Sequence, residues 1–167
     1  MTLASILSLS ASSTGRAATL ARRLRAAQHP PPEVGQPATS LGCLDGFLDR
    51  LVDLPLAEWL AIGESVVADR DRLPVRQRAW DELEAKLLSD RFGLAVWRVR
   101  DAVDTAAHIA SRELHDWSRA ERGTFAAAHG AAEAAALALL ARDALSTETY
   151  HALTAPFASC LVVAGST

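Results

Sequence analysis

The sequence predicts an all-α fold, an antiparallel bundle of about five or six helices behind a poorly ordered basic N-terminal extension. Three observations predict it. Half of the residues are apolar, but alanine and leucine supply most of them, a balance that favours helices over strands. From Leu44 onward apolar residues recur at helical spacing, and no alternating run of strand length interrupts them. The breaks between these runs are short and carry proline, glycine or serine, so consecutive helices should fold back on one another.

The first helix is read from Leu44, Phe47, Leu48, Leu51 and Val52, which share one face. Pro55 ends that run and suits the first turn of a second helix, where its missing amide costs nothing. There Leu56, Trp59, Leu60, Gly63, Val66 and Val67 form the apolar stripe. Pro74 opens a third helix in the same way, with Trp80, Leu83 and Leu87 inward, and Gly93 offers it a left-handed C-cap. The fourth helix spans about 94–115, with Val96, Val99, Val103, Ala106, Ala110 and Leu114 along its apolar arc. Asp101, Asp104, His108 and His115 lie opposite that arc, with Trp97. Ser118 and Glu121 have capping-box spacing and should start a fifth helix that runs to about Arg142. Ser146 caps a sixth, kinked at Pro156, with Tyr150, Leu153, Phe157 and Leu161 on one face.

The N-terminal stretch differs from the rest. Residues 1–32 contain no acidic residue, whereas Arg16, Arg22, Arg23 and Arg25 are all basic. Arginine- and serine-rich, acid-poor composition is that of an organelle transit peptide, and it also suits a disordered tail or a basic arm that touches a partner. It does not read as a secretory signal, because no positive charge precedes the apolar stretch at 3–9. Residues 33–42, with Pro37 and two glycines, read as linker. The expected division is therefore 1–42 as extension and linker, and 43–167 as a single helical-bundle domain.

Charge and cysteine content restrict the function. The chain carries a net charge of −3, and the expected domain has thirteen basic and nineteen acidic residues. General nucleic-acid binding is not expected from such a surface, because displacing counterions from phosphates needs a basic face. Cys43 and Cys160 lie far apart without CxxC spacing and read as reduced thiols of a cytoplasmic protein, organelle targeting being the other outcome the N-terminal composition allows. Residues 126–141 come nearest to a membrane span but are mostly alanine and include His129 and Glu133, so no transmembrane segment is expected.

No Gly-rich phosphate loop, nucleophile elbow or HExxH zinc motif occurs, so no motif assigns an enzyme. The one chemical anomaly is in the fifth helix, where His129 and Glu133 fall among Phe125, Leu137, Leu139 and Leu140. A helix apolar on all sides is usually central, so the two polar residues should be buried and should satisfy each other at i, i+4 spacing. The same spacing offers one nitrogen and one oxygen to a metal. Asp104 and His108 on the fourth helix repeat it and would complete a mixed set suited to a divalent zinc, iron or manganese ion. Trp59, Trp80 and Trp97 read as core or core-edge anchors, and Trp117 as an exposed interface candidate.

The sequence therefore favours a noncatalytic helical interaction module, or a small regulatory or structural subunit, acting through a protein partner or self-association. One alternative is a metal-binding or metal-dependent helical-bundle enzyme using His129, Glu133, Asp104 and His108, with a carboxylate as base. The other is a small-ligand-binding bundle with a cavity along the fifth helix.

Overall fold

The alternation of apolar runs and breakers is realised as helices joined by tight connections. A computed structural model of the chain describes residues 38–88, 92–112 and 116–161, with side chains from Cys43 onward. The readings for residues 1–37, and those for Leu114 and His115, lie outside the described residues. In chain order the helices are α1 (Ala38–Asp53), α2 (Leu56–Ala68), α3 (Leu73–Leu87), α4 (Gly93–Ser111), α5 (Arg119–Leu140), α6 (Thr147–Thr154) and the short α7 (Ala158–Leu161). Single 3-10 turns at Arg70–Arg72, Arg142–Ala144 and Ala155–Phe157 link them, and no strand occurs among the described residues. The protein is an all-α antiparallel bundle. Its first helix begins at Ala38, inside the span that the sequence reads as linker.

Each boundary has a local cause. Pro55 is the N-cap of α2, and its carbonyl accepts from the amides of Glu58 and Trp59. Pro74 lies in the first turn of α3. Ser118 and Glu121 form the expected capping box, each satisfying the other's backbone amide at the start of α5. Ser146 caps α6 by accepting from the Thr149 amide. Pro156 ends that helix more sharply than a kink would, because its ring and missing amide turn the backbone into a 3-10 segment before α7. Gly93 departs from expectation. Its φ of +30° belongs to the first residue of α4, whereas the C-cap of α3, Leu88, has ordinary right-handed helical geometry.

The core is centred on α5, against which α1, α2, α4 and α6 all pack, while α3 lies mainly on α6. From Ala134 to Leu139 every residue of α5 is buried, and in its N-terminal half Ala128 and Ala132 continue the inner face. Those alanines let neighbouring backbones approach closely. Large side chains come from the surrounding helices: Phe47, Leu51, Trp59, Leu83, Val103 and Phe157 are almost fully buried. An aromatic chain crosses this core. Phe47 meets Phe157 edge-on at 5.7 Å, Phe157 meets Trp59 at 6.1 Å, Trp59 meets Phe125 at 5.5 Å, and Phe125 meets Trp117 at 5.0 Å. Trp117, read from sequence as an exposed residue, is thus half-buried against Phe125.

Among the described residues α5 alone is long and apolar enough to cross a membrane. Its place between four other helices is that of a core helix, which passes the same test of length and composition. The Arg50 guanidinium donates to the Cys160 carbonyl, tying α1 to α7.

Candidate functional site

α4 places the polar residues that the sequence singles out. Val99, Ala102, Val103, Ala106, Ala107 and Ala110 pack it inward, which leaves Leu94, Trp97, Arg98, Asp101, Asp104 and His108 exposed. On α5, His129 and Glu133 stand one turn apart along the edge that meets α4. They are half-buried rather than buried, with side chains 32% and 25% exposed.

The expected mutual His129–Glu133 pair does not form; each residue pairs across the seam instead. His129 Nε2 lies 2.7 Å from Asp104 Oδ1, and Glu133 Oε1 lies 2.8 Å from Arg100 Nε. The physical reason is helix geometry. Side chains at i and i+4 are within mutual reach, but α4 brings Arg100 and Asp104 against the same edge, and the guanidinium is a stronger partner for the Glu133 carboxylate than the imidazole. Because the helices are antiparallel, Arg100 and Asp104 meet Glu133 and His129 in reversed order, as two rungs one turn apart. The rungs differ in quality. Asp104, a carboxylate, can only accept, so His129 Nε2 carries the proton and donates it. The Arg100 Nε–H is not directed at the Glu133 oxygen despite the short distance, so that contact is an ion pair and not an aligned hydrogen bond.

Of the four residues read as metal ligands, the fold therefore joins only Asp104 and His129. Glu133 is occupied by Arg100, and His108 remains exposed on α4 one turn beyond Asp104. No group of three or more histidine, cysteine, aspartate or glutamate side chains able to hold a metal ion occurs among the described residues. Arg100 is the residue that sequence reasoning misses; the available signal is its i, i+4 partner Asp104, which repeats the His129–Glu133 spacing with opposite polarity.

The same arginine also touches the exposed end of α4. Its guanidinium lies 6.0 Å from the centroid of the Trp97 ring. Trp97 is 67% exposed and Leu94, one turn earlier, 73%. Leu88, the C-cap of α3, is 86% exposed. Trp97 is thus not the core anchor that its residue type suggests: Arg100 steadies it from one side and solvent meets the other. Leu94 and Trp97 are exposed apolar residues on the outer face of α4, and the buried core does not use them.

A groove of about 310 Å³ lies elsewhere, between α2, α3 and the Pro156 turn, with Val66, Val75 and Ala155 among its walls. Arg76 borders it, but its guanidinium donates to the carbonyls of Val66 at 3.0 Å and Asp69 at 2.7 Å, capping the end of α2. The cavity anticipated beside His129 is not this groove. Cys160 is buried, which raises its thiol pKa above the ordinary value and keeps it protonated, the opposite of an activated nucleophile.

Comparison of the chain with protein-family models, curated proteins and solved structures finds no match.

Proposed function

We propose that the protein is a noncatalytic helical interaction module whose contact surface is the outer face of α4 around Leu94 and Trp97. One observation carries this reading: Leu94 and Trp97, one turn apart on one face of α4, are both exposed on a bundle that already buries Trp59, Phe47 and Phe157. Tryptophan and arginine are the residues on which binding energy concentrates, and scattered leucines alone would carry no such meaning. Trp97 has Arg98 beside it and Arg100 beneath it, so the patch has an aromatic anchor with charged neighbours.

The metal reading has less support, because of its four residues the seam brings together only Asp104 and His129, and two donors do not make a site. The ligand reading has the groove beside Pro156, but the most suitable guanidinium there is already capping a helix.

The test is to place a photo-crosslinking amino acid at Leu94 of the full chain in its native cells, with the same group at exposed Arg78 as control. Adducts heavier than the free chain, formed from position 94 and not from 78, are expected. Equal yields from the two positions, or none from either, would remove the proposed surface.

A further inference from the structure

Resting on that reading of the α4 surface, we infer that its occupant is a second copy of this chain, docked antiparallel on α4 across a two-fold axis. A symmetric dimer requires a patch that complements itself: residue i of one copy meets j of the other, and j meets i. The outer face of α4 has that property. Arg98 and Asp101 are both exposed, one turn apart, and neither side chain pairs with another described residue. Their neighbours are otherwise engaged: Asp104 with His129, Arg100 with Glu133 and Trp97. Among the described residues of this stretch of helix, one cation and one anion therefore remain unpaired.

Antiparallel docking that sets Arg98 against Asp101 of the second copy forms the reciprocal pair automatically. The axis then passes beside Val99 and Arg100. Each Trp97 lies next to the axis, where the centre of an interface excludes water best, and each Leu94 lies opposite Thr105 of the second copy. The Arg100 guanidinium over the indole orients Trp97 before docking, which lowers the ordering cost of association. A parallel arrangement would set Arg98 against Arg98 and Asp101 against Asp101. A small patch with one aromatic anchor per side suits a weak, reversible dimer.

Sedimentation equilibrium of the full chain, from low micromolar to near-millimolar concentration, tests this directly. The wild type should dimerise, and Arg98→Glu or Asp101→Arg alone should raise the dissociation constant about tenfold or more. Because each charge meets its opposite on the other copy, mixing the two single variants should restore dimers, as should the double variant R98E/D101R. Both positions are exposed, so circular dichroism should show each variant as helical as the wild type. Trp97→Ala should also give monomer. A wild type that stays monomeric, single reversals that leave the dimer intact, or a mixture that fails to recover would each overturn the inference. Monomeric protein whose position 94 still crosslinks to another protein overturns self-pairing alone; monomeric protein without adducts removes the interaction surface as well.

Discussion

Gly63 lies where α2 comes closest to α5. A Cβ built on it would stand 2.0 Å from the Thr124 carbonyl oxygen, and the obstacle is backbone, which cannot rotate aside. Gly130 on α5 is exposed, and a Cβ there would meet nothing within 4 Å. The two glycines should therefore respond oppositely to alanine. Gly130→Ala should stabilise by roughly 0.5–1 kcal/mol through helix propensity. Gly63→Ala has the same propensity gain but must push two helices apart, and should cost roughly 2 kcal/mol net. Urea denaturation of both variants measures the contrast; a neutral Gly63→Ala would mean that the helices are not that close. From sequence Gly63 is legible as an inward position only, since the small size it needs depends on Thr124, far away in the chain. The same is true of Glu133. Its need for a partner is evident from its apolar neighbours, but the partner belongs to another helix.

At the scale of helices, the caps are the most legible part of the structure, because a cap is a local pattern. Ser118–Glu121 and Ser146 act as their spacing indicates. What the sequence does not show is that the Ser146 cap is completed by a residue of another helix. Glu82 of α3 accepts from the Ser146 amide at 3.1 Å and from the hydroxyls of Ser146 and Thr149, so its carboxylate sits at the N-terminus of α6. The hydrogen bond from Thr149, followed by that from the Ser146 backbone, holds the Glu82 carboxyl below its ordinary pKa. A carboxylate so depressed contributes its stability above the pKa of the unfolded chain and loses it as pH falls through the folded value. Glu82→Gln should thus lower stability at neutral pH by about 1 kcal/mol, solvent screening keeping the effect small. Thermal midpoints of the variant and the wild type should converge in acid below the ordinary carboxylate range. A gap of constant size from neutral to strongly acid pH would show that the charge plays no part.

For the molecule as a whole, fold class follows from composition and periodicity, which depend only on which face each residue occupies. The site is less legible. Trp59 lies within the apolar stripe of its helix and Trp97 opposite that of α4, and their exposures follow that division; what the sequence does not show is that Arg100, near the Trp97 ring, pairs with Glu133 of another helix. The division of the chain can be tested by shortening it. A chain of Pro37–Thr167 retains all of α1 and should keep the midpoint of the full protein, whereas a start at Cys43 removes the first turn of α1 and should fray it. A Pro37–Thr167 chain that melts well below the full protein would show that residues 1–36 contribute to folding. The alanine lining of α5 has a further consequence, for how such a sequence can vary. Of the residues that one base change can put in place of alanine, only glycine is smaller. Nearly every mutation along Ala128, Ala132, Ala135 and Ala136 must therefore enlarge a side chain in a space already filled. Descendants of this chain should drift freely on their outer helical faces while this one strip of residues stays almost unchanged.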